Sequence, residues 1–230
     1  MQDLRKQEQF EIEVLDRLKS GRFLDALVLT GGTMLRLCYE LNRYSLDLDF
    51  WLYRKINIES YFNRLKEFLS NYYLIRDAEN KFYTMLFEIK AKGYPRNLKI
   101  EIRKIRAVKT ELSIAYSKYS NRQVMVRTLS LQEVMKSKIE AFLSRKEIRD
   151  AFDIEFLVKK GIKLKATKDE LKKLIDTVSS LNKTDYTVKL GSVLEPEDRK
   201  YYSKENFNIL LMKLKEPLLT AVRSPSIRRR

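Results

Sequence analysis

Residues 28–50 read VLTGGTMLRLCYELNRYSLDLDF, and this stretch decides the fold of the first half of the chain. An apolar run ends at two adjacent glycines, and the residues that follow have the composition of a short helix. A polar turn then leads into a second apolar run that carries two aspartates. The pattern predicts a strand, a glycine turn, a helix, a polar turn and a second strand.

The two aspartates of the second strand, Asp47 and Asp49, are one residue apart. Because successive side chains of a strand point to opposite faces, both carboxylates share one face, and the apolar Leu48 and Phe50 take the other. Two carboxylates on one face repel each other, and a divalent cation is the simplest compensating charge. The sequence therefore predicts a metal site here. The alternative is a solvated strand end.

The glycine turn is the second candidate for ligand binding. Gly31 and Gly32 let the backbone approach a ligand without an intervening Cβ, and the N–H groups at the start of the next helix would face phosphate. Thr33 is predicted to cap that helix and is also a candidate phosphate contact. An ordinary strand-to-helix turn is the alternative.

Three polar residues flank this turn, and we predict that they contact a nucleotide. Arg43 suits phosphate because its guanidinium can bind two oxygens at once; a surface ion pair is the alternative. The other two predicted nucleotide contacts are Arg36 and Ser45.

The amino-acid composition limits the catalytic groups and metal ligands that the chain can have. Histidine is absent from the 230 residues, and Cys38 is the single cysteine. Histidine bases, histidine metal ligands and an intramolecular disulfide are therefore excluded. Any metal must be bound through oxygen, which points to Mg²⁺ or Mn²⁺. The formal net charge of +16 favours an anionic partner such as nucleic acid. The alternative is a lysine-rich surface that only confers solubility.

Hydrophobic periodicity divides the chain into a mixed α/β half and a helical half. We place the first domain at 1–115 and the helical domain at 116–230, with a basic, disordered tail after Pro217. Ser130 and Glu133 are predicted to form a capping box, and Gly161 is predicted to end a helix. Helices are predicted at 3–20, 33–41, 58–69, 130–144, 147–160, 169–181 and 204–215, and strands at 26–30, 48–53, 82–89 and 98–103.

The last two predicted strands form a hairpin that supplies a third acidic candidate. Alternation places Glu101 on the face opposite the apolar residues of its strand. A third carboxylate from a neighbouring strand would complete a metal site, so Glu101 is the candidate third ligand. The alternative is a cross-strand pair with a lysine or an arginine.

Nothing in the sequence indicates a membrane or an exported protein. The first 20 residues are charged throughout, which is unlike a signal peptide. No apolar run approaches the ~20 residues that a membrane-spanning helix needs. We expect a cytoplasmic protein.

Four separated motifs, in order, resemble the AbiEii/AbiGii toxin family of nucleotidyltransferases, distant relatives of the polymerase-beta-type superfamily. The resemblance covers about residues 22–160 and rests on GGTMLR at 31–36, RYSLDLDF at 43–50, Lys138 with Ala141 and Arg145, and RDAFD at 149–153. It implies an α+β fold with a nucleotidyltransferase-type mixed β-sheet, flanking helices and a C-terminal helical bundle.

The resemblance also implies roles for individual residues. Gly31, Gly32 and Thr33 would hold a triphosphate, and Asp47 and Asp49 would bind Mg²⁺. On the later helices, Lys138 would contact the nucleotide phosphates, either Asp150 or Asp153 would be the acid of the fourth motif, and Arg145 is a further candidate. Without the resemblance, solvated helix faces and a surface charge cluster would explain these helical residues.

The predicted function is metal-dependent transfer of a nucleoside monophosphate from an NTP to an acceptor. The resemblance implies a toxin with a cognate antitoxin, and tRNA is a known acceptor class in the family. One alternative is a nucleic-acid-binding protein with an inactive nucleotidyltransferase fold. Another is a nucleotidyltransferase that acts on a protein or a small molecule.

Overall fold

The computed structural model describes residues 1–107 and 109–220. The chain divides into two compact units, Met1–Ser130 and Leu131–Arg230. The first contains a seven-stranded mixed sheet with flanking helices, and the second, as far as it is described, is helical. This confirms the predicted α+β class. None of the described helices is both long enough and apolar enough to cross a membrane.

The sheet of the first unit has the strand order β3-β4-β5-β2-β1-β7-β6. The β2–β5 and β1–β7 pairs are parallel, and the other neighbours are antiparallel. The strands are β1 Leu27–Thr30, β2 Asp47–Leu52, β3 Leu74–Asn80, β4 Thr84–Lys90, β5 Leu98–Arg106, β6 Thr110–Tyr116 and β7 Gln123–Leu129.

Three helices accompany the sheet: α1 Gln2–Ser20, α2 Gly31–Tyr39 and α3 Ile58–Ser70. The predicted alternation of the strands is observed, because Leu48 and Phe50 in β2 and Phe87 in β4 are buried. The ring of Phe87 stacks on that of Phe62 in α3, with centroids 5.0 Å apart. Apolar side chains on this face of the sheet are therefore part of the core, and the β2 aspartates lie on the opposite face.

The predicted hairpin is confirmed, since β4 and β5 pair antiparallel. Periodicity did not reveal β3, β6 and β7. The predicted boundary between residues 115 and 116 falls at the end of β6, and the sheet continues beyond it. β7 pairs in parallel with β1, which is about 100 residues earlier in the chain, and so belongs to the first unit.

The second unit contains α4 Leu131–Arg145, α5 Ile148–Lys159, α6 Lys168–Ser179, α7 Pro196–Glu205 and α8 Asn208–Thr220, with a π-helical segment at Asp185–Leu190. Gly161 follows α5 with a φ of +81°, as predicted for a helix end. The helix α8 continues through Pro217, where we expected the tail to begin. The remainder of that predicted tail, residues 221–230, lies outside the described residues.

The predicted capping box at Ser130 is wrong. The Ser130 hydroxyl is buried and forms no hydrogen bond within the described residues. A capping box forms instead at α6, where Thr167 and Glu170 satisfy each other's backbone N–H groups.

Candidate active site

The glycine turn and the β2 aspartates meet in the first unit. Gly31, the first residue of α2, has a φ of +74°, and a Cβ built on it would lie 2.5 Å from Oδ2 of Asp49. The two segments are held together because Thr30 pairs with Asp49 across the β1–β2 ladder. The carboxylate of Asp49 therefore lies against the start of α2, at a position where only glycine leaves room for it.

Two of the predicted nucleotide contacts meet at the next residue. A Cβ on Gly32 would lie 2.6 Å from Nη2 of Arg43 and 2.8 Å from Oγ of Ser45. The Arg43 side chain is buried, and its Nη1 donates to the carbonyl of Tyr44 at 2.9 Å. A cation and a hydroxyl are thus fixed beside the N-terminal end of a helix. This combination favours an anionic ligand.

Thr33 links the helix to the strand instead of capping the helix. The residue before α2 is Thr30, and its side chain makes no capping hydrogen bond. Thr33 is fully buried, and its hydroxyl donates to the backbone carbonyl of Asp47 at 2.5 Å. The predicted N-cap is therefore wrong, because α2 begins two residues earlier than the sequence indicated. Thr33 fixes the position of β2 relative to α2.

The metal-ligand candidates lie on one face of the sheet. Asp47 is exposed and Asp49 is partly buried, in agreement with the alternation. Glu101 is directly opposite Asp49 in the parallel β2–β5 register, so the two side chains share this face. Glu101 also accepts hydrogen bonds from Lys99 at 3.3 Å and Arg103 at 3.4 Å. Both cations belong to the same strand as Glu101.

These contacts bear on how a metal could be held. Within residues 1–107 and 109–220, no group of three acidic or thiol side chains is arranged to hold a metal ion. Asp47 and Asp49 supply oxygen donors, and Mg²⁺ is commonly bound by one or two carboxylates together with substrate phosphates. The two aspartates fit that donor set. Metal binding by Glu101 stays a prediction.

Arg36 is engaged by neighbouring groups of its own unit, and its nucleotide contact stays a prediction. Its Nε donates to Glu8 of α1 at 2.8 Å, and its Nη1 donates to the carbonyl of Leu41 at 2.9 Å. Its guanidinium also lies 4.4 Å from the centroid of the Tyr44 ring. These contacts tie α1 to the end of α2.

A buried acid near the site was not predicted. Glu11 on α1 is fully buried, and neither carboxylate oxygen has a hydrogen-bond partner among the described residues. Burial raises the pKa of Glu11, and the negative charges of Glu8 and Asp47 raise it further. Its burial could have been predicted from its position, because Glu11 lies on the buried stripe of α1, seven residues after Leu4 and seven before Leu18.

The predicted residues of the helical half form one ion-pair network in the second unit. Nζ of Lys138 on α4 lies 3.1 Å from Asp150 and 2.6 Å from Asp153, both on α5. Arg145 binds Asp150 with two nitrogens, at 2.7 and 2.8 Å. Both aspartates and Lys138 are buried, whereas half of the Arg145 side chain is exposed. Solvated helix faces therefore do not describe Lys138 and Asp150.

The network also shows what each acid does in this unit. Asp150 contacts both cations, and Asp153 contacts Lys138. Buried charges are costly unless each is paired, so the two aspartates hold the ammonium group in one position.

The family model of the nucleotidyl transferase AbiEii toxin, from type IV toxin–antitoxin systems, matches residues 13–216. The chain belongs to the AbiEii nucleotidyl transferase toxin family. This confirms the resemblance, and AbiEii membership makes the protein a nucleotidyl transferase of a toxin family, which implies an antitoxin partner.

Solved structures agree with the fold of an AbiEii protein. JHP933 from Helicobacter pylori is 24% identical, with a TM-score of 0.55, over 94% of this chain and 97% of that one. A second H. pylori protein, provisionally named a nucleotidyltransferase, is 23% identical with a TM-score of 0.55, over 90% of this chain and 96% of that one. At these identities the likeness supports the fold alone. No curated protein matches the chain.

Proposed function

We propose that this AbiEii protein transfers a nucleoside monophosphate from an NTP to a hydroxyl group of an RNA acceptor such as tRNA, in a reaction that depends on Mg²⁺ or Mn²⁺. One observation carries the proposal: the Asp49 carboxylate lies against Gly31, and the buried Arg43 guanidinium lies against the adjacent Gly32. A carboxylate suited to a divalent cation and a guanidinium suited to phosphate thus contact two adjacent glycines of one turn.

Different residues at this site would bind the triphosphate and the metal ion. Backbone N–H groups at the start of α2, with Arg43 and Ser45, would bind phosphate oxygens. Asp47 and Asp49 would hold Mg²⁺. When bound, that ion reduces the negative charge on the phosphate oxygens. Thr33 keeps the backbone of Asp47 in place through its hydrogen bond.

The reaction is an in-line displacement at the α-phosphorus. The oxygen of the acceptor hydroxyl forms a bond to the α-phosphorus, the bond from that phosphorus to the bridging oxygen breaks, and pyrophosphate leaves. The proton of the hydroxyl passes to a carboxylate of the β2–β5 row. Fixed positive charge at Arg43 stabilises the phosphate oxygens as charge develops on them.

Lys138 keeps, as part of this proposal, the phosphate contact that the family resemblance implies. Its ammonium group is held in place within the second unit by ion pairs with Asp150 and Asp153. Asp150, which also binds Arg145, is then the main candidate for the acid of the fourth motif.

RNA is the proposed acceptor because of the charge of the protein. A net charge of +16 favours a polyanionic partner. A protein acceptor, a small-molecule acceptor and an inactive RNA-binding protein are the competing outcomes of the experiment below.

The experiment uses NTPs that are labelled at the α-phosphate. The wild-type protein, Asp47→Asn and Asp49→Asn would each be incubated with each labelled NTP and total RNA, with Mg²⁺ or with EDTA. Asp169→Asn is the matched control, since Asp169 is an exposed aspartate in the first turn of α6. We expect Mg²⁺-dependent labelling of RNA by the wild type and the control, and a loss of roughly 100-fold or more in the other two variants.

Other results would contradict the proposal. Full transfer by both Asp47→Asn and Asp49→Asn would overturn the site. Label in the protein or small-molecule fraction of a lysate, with none in RNA, would overturn the acceptor. RNA binding that is salt-sensitive but independent of NTP, metal and both aspartates, with no label transferred, would identify an inactive binding protein.

A further inference from the structure

The turn between β3 and β4 carries two aromatic side chains that project into solvent. Phe82 is 83% exposed and Tyr83 is 77% exposed. The rings contact each other edge to face, with centroids 4.6 Å apart. Two adjacent exposed aromatic rings of this size form a candidate binding surface.

Cationic residues are frequent at the end of the sheet that carries this pair of rings. The backbone N–H of Lys104 donates to the carbonyl of Tyr83 at 2.9 Å, and the Lys104 side chain bonds to the carbonyl of Lys81. The cations at this end of the sheet are Arg54, Lys55, Lys81, Arg103, Lys104 and Arg106. Lys81 is paired with Glu79 and Arg103 with Glu101, which leaves a cationic excess at this end.

The β-sheet register connects this surface to the proposed catalytic face. Leu86, Glu101 and Asp49 are opposite one another on β4, β5 and β2, and form one row on that face. The next row on the same face contains Thr84, and Phe82, two residues earlier, follows the same alternation, whereas Tyr83 follows the alternation of the opposite face. Thr84 lies about 12 Å from Asp49, a distance that corresponds to two strand spacings and a two-residue rise. One ligand could therefore contact both Asp49 and the end of β4 that follows the two rings.

Single-stranded RNA is the ligand that this chemistry fits. Exposed aromatic rings stack on unpaired bases whatever their sequence, and neighbouring lysine and arginine side chains bind the phosphates between those bases. Bases in a duplex are already stacked on each other and would not be available to the rings.

We infer that Phe82 and Tyr83, with Lys104 and Arg106, form a docking site for the single-stranded end of the RNA acceptor, which would lie across the polar face of the sheet toward Asp49. This inference rests on the proposed function, because it takes RNA as the acceptor. It assigns substrate binding to residues outside the four motifs that identify the family.

The first test measures RNA binding without turnover. A short fluorescent single-stranded RNA is titrated with the wild type, Phe82→Ala, Tyr83→Ala and Phe82→Trp, with fluorescence anisotropy as the readout. We expect each alanine variant to bind about fivefold or more weakly, and Phe82→Trp to bind as the wild type does. Leu112→Ala is the matched control, because Leu112 is a 61% exposed apolar residue on β6.

Three results decide the inference. Equal weakening by Leu112→Ala, or wild-type binding by both alanine variants, would overturn it. Equal loss of affinity for a fully paired RNA duplex would also overturn it, because stacking requires unpaired bases. Since both rings are exposed, thermal unfolding of the variants should match that of the wild type.

A second test separates this inference from the proposed function. Label transfer from NTP is measured against RNA concentration for the wild type and for the doubly substituted Phe82→Ala, Tyr83→Ala protein. A raised KM for RNA with the KM for NTP unchanged supports the docking site. An unchanged KM for RNA overturns the docking site but leaves the proposed function intact, whereas the absence of label in RNA with the wild type overturns the proposed function.

Discussion

Replacing Gly31 by alanine tests the geometry of the site directly. The residue has a φ of +74°, and the new Cβ would lie 2.5 Å from Oδ2, 3.1 Å from Cβ and 3.2 Å from Cγ of Asp49. The backbone conformation costs a non-glycine residue about 1–2 kcal/mol. The contact with the Cβ of Asp49 cannot be relieved by rotation of the carboxylate alone, so β2 or α2 must also move.

The expected result is a modest loss of stability with a large loss of activity. We expect Gly31→Ala to lower the free energy of unfolding by about 1–3 kcal/mol, the backbone cost plus part of the steric cost. Displacement of a reacting group by about 1 Å can reduce a rate roughly 100-fold, so label transfer from NTP should fall by at least that factor.

The chain provides two matched controls. Gly93 and Gly161 have φ values of +95° and +81°, and a Cβ on either would meet nothing within 4 Å. Gly93→Ala and Gly161→Ala therefore carry the backbone cost without the contact. Urea unfolding and label transfer would be measured for all three variants. If Gly31→Ala matched the controls in both stability and transfer, the close approach of Asp49 to Gly31 would have no functional role.

Two further predictions concern buried charge. Lys138→Met leaves two buried aspartates without the cation that they share, so it should lower the free energy of unfolding by about 3–5 kcal/mol. The exposed Lys136→Met is the control. If urea unfolding showed the same small effect for both variants, the ion-pair network would have no stabilising role. Burial raises the pKa of Glu11, so its contribution to stability is present below the ordinary glutamate pKa and is lost as pH rises through the folded-state pKa. Glu11→Met should remove that loss, and an unchanged dependence of urea unfolding on pH would contradict this expectation.

Much of the fold follows from local pattern. Alternation in residues 47–50 is sufficient to place both aspartates on one face and the apolar residues on the other, because side-chain direction in a strand depends only on position. Helical spacing likewise places Lys138 and Arg145 on one face of α4, and both contact Asp150. Gly161 follows the end of α5 because a backbone position with positive φ favours glycine.

The limits of local pattern appear at the helix ends and at Arg36. The sequence offered Ser130 and Thr33 as caps, but the Ser130 hydroxyl is unbonded among the described residues and Thr33 bonds to Asp47 across the turn. Local pattern also did not indicate that Glu8 of α1 pairs with the Arg36 guanidinium. The partner of a polar side chain depends on which element packs against it.

The sequence by itself determined the order of most elements, the faces of their side chains and the family. Only the tertiary structure placed Glu101 beside Asp49, because β2 and β5 are parallel neighbours separated by more than 40 residues of chain. It also added β7 next to β1 and buried Glu11 close enough to Asp47 for the two charges to interact. Local periodicity reports which face is buried, whereas strand pairing depends on contacts between distant segments that periodicity does not encode.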